Sequence, residues 1–249
     1  PSMVLFDRHD RVIVGVSANL APQMVATQRA RKFTEFKRKM GYEELDTHDS
    51  HTLSDGTVIT PEYLSSLVLG KMKNRVGDEV FKSVVVTIPA QFTNSAISAT
   101  KKAAEMAGFE QCYILQEPVA AATAYSHSSN QQNGQWIVFD FGGGTFDVAI
   151  VKVEKGLSSV VGCDGDPKLG GKDIDNLLVH KLLLPELKKK YNINKVESDL
   201  VSKLKHEVDQ IKVKLSYEPS VDYLSPLGAL GSDDDGQEID LEMIIDRTK

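Results

Sequence analysis

Residues Val138 to Asp147 read VFDFGGGTFD: an apolar run ending in a carboxylate, three consecutive glycines, a threonine, then a second β-prone run. The downstream flank, FDVAIVKV, alternates and is β-branched, so the glycines join strand to strand. That excludes the two commonest nucleotide loops. A P-loop needs GxxxxGK followed by Ser or Thr, a Rossmann turn needs GxGxxG, and each opens a helix. The expected element is a β-hairpin with the glycines at its tip. Without side chains, Gly142, Gly143 and Gly144 can take positive φ and aim successive N–H groups at one point, an anion-binding nest. Thr145 adds a hydroxyl, and Asp140 places a carboxylate where it suits a Mg²⁺-bound water. Two readings stand: a tight hairpin whose glycines serve geometry alone, or a phosphate loop. The flanking acids Asp140 and Asp147 favour the second.

Bulk properties narrow the class. A chain of 249 residues with 41% hydrophobic and 26% charged content has the composition of a soluble globular protein with room for two modest cores. A net charge of −6 argues against general binding to nucleic acid or anionic membrane, so an anionic ligand must be held by local donors. Cys112 and Cys163 match no metal spacing and read as small core residues in a reducing compartment, the cytoplasm by default. No apolar run is long enough to span a membrane. The chain opens at Pro1-Ser2 and reads as truncated.

Along the chain, Met3 to Val16 gives two short strands around a polar turn. The basic stretch ATQRARKFTEFKRKMG reads as a helix ended by Gly41. Its cations suit either phosphate or a solvated face, the latter weighing more. Ser54-Asp55-Gly56 is a hairpin turn, and Thr60-Pro61 is an N-cap followed by proline at the first helical position. VVVTIP reads as a buried strand, Ser95 to Ala107 as a helix closed by Gly108, and CYILQ as a second strand. This strand–helix–strand unit requires parallel pairing and sets Glu117 at a strand's carboxyl end, where ligands collect in α/β sheets. A small-residue helix, VAAATAYS, and a polar loop, Ser126 to Gly134, lead to an antiparallel meander ending at Asp164-Gly165-Asp166-Pro167. Gly170-Gly171 precedes a helix. A long amphipathic helix over Ser198 to Leu215 carries Leu200, Leu204, Val208, Ile211 and Leu215 on one face, and SDDDG is an acidic surface turn.

The strings VVVTIPAQF, AAEMAGF, ILQEPVAAATAY, VFDFGGGTFDVAIV, LGGKDIDN and, more loosely, IKVKLS resemble the nucleotide-binding domain of the 70-kDa heat-shock (DnaK-like) chaperones. The resemblance implies a two-lobed actin/hexokinase-like, ribonuclease H-like α/β ATPase fold, incomplete at both ends. It implies an outer and an inner subdomain of the first lobe at 1–83 and 84–130, then an inner and an outer subdomain of the second at 131–169 and 170–249. Transferred to matching positions, it makes Asp140 and Asp147 the residues holding Mg²⁺ through water. Gly142, Gly143, Gly144 and Thr145 contact phosphates, and Glu117 lies close to the attacking water. Asp140, Glu117 and Thr145 form the catalytic set. Gly171 and one face of the long helix, Asp209, Lys212 and Ser216, contact the nucleoside; on residues alone, Lys212 reads as a solvated lysine. ATP or ADP with Mg²⁺ is the implied ligand. The implied partners are a J-domain co-chaperone, a nucleotide exchange factor and, through a domain outside this chain, unfolded polypeptides.

Four positions depart from the family pattern. Where it has a catalytic lysine this chain has Asn19, and a neutral amide cannot offset phosphoryl charge, a loss of about 2.7–4 kcal/mol of barrier by comparison with oxyanion donors. Val213, Lys172 and Ile97 stand where an arginine, an acid and a coupling arginine are expected. The expected function is therefore ATP binding and hydrolysis in a chaperone cycle. The alternative is a weakly catalytic relative acting as a co-chaperone or exchange-factor-like partner. A sugar or acetate kinase on the same fold has no string in its favour.

Overall fold

The alternation on both sides of the glycines is realised as paired strands. The computed structural model describes residues 2–15, 31–42, 51–75, 81–130 and 133–247. The chain divides into two units, Pro1–Lys168 and Leu169–Lys249.

In the first unit, β1 (Met3–Phe6) is flanked by antiparallel β2 (Val12–Val14) and β3 (Arg31–Thr34). A 3-10 turn, Phe36–Lys39, follows. The helix expected across this basic stretch is therefore not formed over its described part, and Ala26 to Ala30 lie outside the described residues. Pairing decides the outcome: Phe33 stands opposite Val4 and meets Phe6 edge-on with ring centroids 5.8 Å apart. Gly41, at φ +74°, packs where a Cβ would come 2.4 Å from the Ala96 nitrogen, so the chain leaves the turn through a position only glycine fits.

The hairpin β4 (His51–Thr52) and β5 (Val58–Ile59) turns at Gly56 with φ +86°. In α1 (Pro61–Lys73), the Thr60 hydroxyl accepts from the Tyr63 N–H as the sequence foretells. The strand–helix–strand unit is β6 (Ser83–Ile88), α2 (Asn94–Met106) and β7 (Gln111–Gln116), with β6 and β7 parallel. β6 is not buried as expected: only Ile88 is, and Val85 is 60% exposed, because among the described residues the sheet has just two strands.

Helix α3 (Glu117–Ser128) extends into the stretch read as a polar loop. Its small residues allow close packing: Ala122 sits on Ala149 and Val151. The meander comprises β8 (Gly134–Phe141), β9 (Phe146–Glu154) and β10 (Leu157–Asp166), the last running through the acids expected to end it. Cys163 lies exposed on β10 and Cys112 half-buried on β7, so neither is a core residue.

The second unit carries α4 (Gly171–Leu178), a π-helical segment (Val179–Leu183) and α5 (Leu184–Lys190) in unbroken succession. Helix α6 (Ser198–Leu215) and the antiparallel pair β11 (Ser220–Ser225) and β12 (Leu241–Asp246) complete it. Leu204, Val208 and Ile211 of α6 pack with Leu183, Leu187, Val221 and Ile245 in one core. The acidic turn is exposed and caps a neighbouring loop: Asp233 and Asp234 accept from the Asn192 and Asn194 N–H groups.

Candidate functional site

Strand register brings the acids of the first unit together. Asp140 on β8 stands directly opposite Asp147 on β9, with Phe141 opposite Phe146 one step nearer the tip. The Gly142 N–H donates to the Thr145 carbonyl at 2.9 Å and closes the loop. Like charges directly opposed on antiparallel strands oppose pairing, so this pair calls for a proton or a cation. Asp147 is 7% exposed, and its Oδ2 is buried without a hydrogen-bond partner among the described residues. Burial raises the Asp147 pKa. The Thr145 hydroxyl bond and Lys37 pull it down, while Glu117 and Asp140 push it up. Opposite Asp147 on β10 stands Gly165, where a Cβ would fall 2.2 Å from the Phe146 carbonyl oxygen and 3.0 Å from the Asp147 Cα. Glycine there lets β10 close on the Asp147 backbone.

The three loop glycines do not take the positive φ open to them. A four-residue loop closed by the Gly142–Thr145 hydrogen bond turns the chain without a left-handed residue. Their smallness serves other ends. A Cβ on Gly144 would stand 2.6 Å from Arg38 Nε and 3.2 Å from Cζ, so the guanidinium lies against its backbone. A Cβ on Gly143 would meet nothing within 4 Å, which leaves open space above the middle of the loop.

Glu117 occupies the first position of α3, at the carboxyl end of β7, as the sequence foretells. Lys37 Nζ donates to its Oε1 at 2.7 Å. Glu117, Asp140, Asp147, Thr145, Lys37 and Arg38 thus gather around one loop from four separate segments. Among the described residues, no group of three or more His, Cys, Asp or Glu is placed to grip a metal directly. An all-oxygen set with an orphaned buried carboxylate oxygen fits Mg²⁺, which keeps most of its own water.

In the second unit, α4 and the C-terminal half of α6 meet. Lys212 Nζ reaches Asp175 Oδ1 at 2.7 Å, the Gly171 carbonyl at 3.2 Å and Asp209 Oδ1 at 3.4 Å. Lys212 is therefore held by α4 and is not the solvated lysine that the residues alone suggest. Ser216 Oγ donates to the Lys212 carbonyl, and Val213 is half exposed. Asn19 lies outside the described residues.

Sequence reasoning missed three participants. Lys37 and Arg38 belong to a basic run weighed mainly as a solvated face. Asp175, buried at the Lys212 ammonium, carries the only available hint in its place within LGGKDIDN.

A family model described as Hsp70 protein matches residues 1–249. Among curated relatives, the proteins named Chaperone protein DnaK from Thermotoga petrophila and Thermotoga maritima are each 33% identical over 253 residues, covering 100% of this chain and 40% of the relative. The Chaperone protein DnaK of Elusimicrobium minutum is 34% identical over 239 residues, covering 94% of this chain and 37% of the relative. The chain thus spans about two-fifths of the length of these relatives.

Proposed function

This chain belongs to the Hsp70 protein family, and from that footing we propose that it is the ATP-binding and ATP-hydrolysing part of a chaperone. Its actin-like α/β domain is partial. One observation carries the reading: Asp140, Asp147, Glu117 and Thr145 converge on the Gly142–Gly144 loop, with one Asp147 oxygen buried and unpartnered. An acidic cluster of this kind, beside a loop with open space over Gly143, suits a hydrated divalent ion and the phosphates it accompanies.

Roles follow from position. Asp140 and Asp147 hold the waters of Mg²⁺, which when bound neutralises charge on the β- and γ-phosphates. Glu117, fixed by Lys37, accepts a hydrogen bond from the attacking water. Thr145 presents its hydroxyl beside Asp147, and the loop N–H groups of Gly143 and Gly144 face the phosphates. In the second unit, Gly171, Asp209, Lys212 and Ser216 contact the nucleoside. Lys212, pinned to Asp175, offers a pre-positioned cation instead of a mobile one. The subdomain limits at 83, 130 and 169 belong to the same reading. So do the J-domain co-chaperone, exchange factor and polypeptide clients of the complete protein, and a cytoplasmic location. Among the described residues no helix is long and apolar enough to cross a membrane.

The test is single-turnover ATP hydrolysis by the complete protein, alone and with a J-domain partner, beside Asn19→Lys. Hydrolysis that the partner accelerates supports the reading. ATP binding without hydrolysis, restored by the lysine, limits this protein to nucleotide binding. Absence of Mg²⁺-ATP binding removes the proposal.

A further inference from the structure

The 3-10 turn Phe36–Lys39 sends two adjacent cations into the acidic loop by different routes. Lys37 reaches the start of α3, its ammonium 2.7 Å from Glu117 Oε1. Arg38 reaches the hairpin tip, its guanidinium filling the place a Gly144 side chain would take. The turn itself is fixed in position. Phe36 is buried in the core with Val4, Phe6 and Leu64. Glu35 enters the turn at φ +60°, a left-handed conformation uncommon for a residue with a side chain, and its carboxylate lies 3.4 Å from Arg38 Nη1. Two long cations are therefore delivered from a buried anchor, and neither depends on the flexibility of a solvated loop.

Glu117, Asp140 and Lys37 all act electrostatically on Asp147, and the three carboxylates of this cluster would repel a triphosphate. Mg²⁺ offsets part of that repulsion, and the remainder falls to protein cations near the loop. A guanidinium suits the task because its planar fork matches phosphate oxygens.

We propose that this turn is the cationic wall of the phosphate site: Arg38 contacts the terminal phosphate of a nucleoside triphosphate over Gly144, and Lys37 is a positioning residue that holds the Glu117 carboxylate toward it. The inference rests on the nucleotide-site reading above and adds to it the source of positive charge.

The complete protein supplies the test, with Mg²⁺-ATP and Mg²⁺-ADP affinities and single-turnover rates measured on native protein, Arg38→Met, Arg38→Lys, Lys37→Met and Lys37→Arg. Arg38→Met keeps the stem's bulk. It is expected to weaken ATP binding by about ten- to a hundredfold, the loss of one charge-assisted hydrogen-bond set, with a smaller effect on ADP. Arg38→Lys recovers part of the loss. Lys37→Met lowers the single-turnover rate by more than it weakens ATP binding, and Lys37→Arg restores the rate, a split that general destabilisation does not produce. If the native protein binds ATP while Arg38→Met binds it as tightly or more tightly, the wall is refuted and Arg38 is instead a plug over Gly144. If the native protein binds no ATP, the nucleotide site and the wall fall together. Melting of each variant without nucleotide shows that it is folded.

Discussion

Single residues carry most of the electrostatics. Asp147 has a raised pKa because it is buried and faces Glu117 and Asp140. In the window above the usual carboxylate value of 3.8, the folded chain binds more protons than the unfolded chain. Stability therefore falls as pH rises through that window and stays lowered beyond it. Asp147→Asn is expected to melt at a higher temperature than the native chain at neutral pH without Mg²⁺, with the gap closing in acid. Mg²⁺-ATP should reverse the order, raising the native melting point by more than the variant's. A variant that is less stable at neutral pH and stabilised equally by ligand contradicts the repulsive carboxylate pair. Gly143→Ala discriminates in a second way. Open space above it means that melting should stay within about 0.5–1 kcal/mol of native, while ATP affinity drops because the new methyl projects into the cradle. Isothermal titration beside thermal melting reads both quantities.

Elements were legible where their signals are local. The Thr60 cap, the proline after it and the α6 stripe each follow from residues a turn or two apart, and all three stand as read. Thr60→Ala is expected to cost about 0.5–2 kcal/mol, seen as a lower denaturant midpoint with unchanged slope. Leu204→Ala removes a fully buried side chain from the second unit's core and should cost about 2–5 kcal/mol; a loss well under 1 kcal/mol would mean that α6 is not anchored there. The basic stretch went the other way. Its lysines and arginines favour helix in isolation, yet pairing with β1 draws Arg31 to Thr34 into a strand. The Lys37–Glu117 and Lys212–Asp175 pairs were invisible for a related reason: 80 and 37 residues separate the partners, and no periodicity spans such distances. The glycine loop was legible as a loop but not in its dihedrals, because a GGG run permits positive φ without requiring it.

At the scale of the molecule, one sheet face stands out. Ile137, Phe139 and Phe141 on β8 project from the meander with Ile150 of β9, and all four are at least 43% exposed. Their register partners, Ile150, Val148 and Phe146, continue the same face. Contiguous apolar surface of this kind promotes association, and a net charge of −6 opposes it only weakly at physiological salt. The 249-residue chain on its own is expected to self-associate in sedimentation velocity at micromolar concentration, and Phe139→Lys is expected to shift it toward monomer. A monodisperse native chain would remove this expectation. The π-helical segment has a longer reach. Between α4 and α5 it adds residues without breaking the rod, so Asp175 meets Lys212 upstream while Leu184 and Leu187 meet the core downstream. Each residue of helix turns the chain by about 100°. Loss of one codon in a purely α-helical stretch between Asp175 and Leu187 would therefore turn the second half away, whereas loss of one within Val179–Leu183 would tighten the π turn to an α turn and keep Leu187 facing the core. An irregularity of this sort acts as slack in the rod: a place where the gene can shorten the helix by a residue without changing which side faces the core.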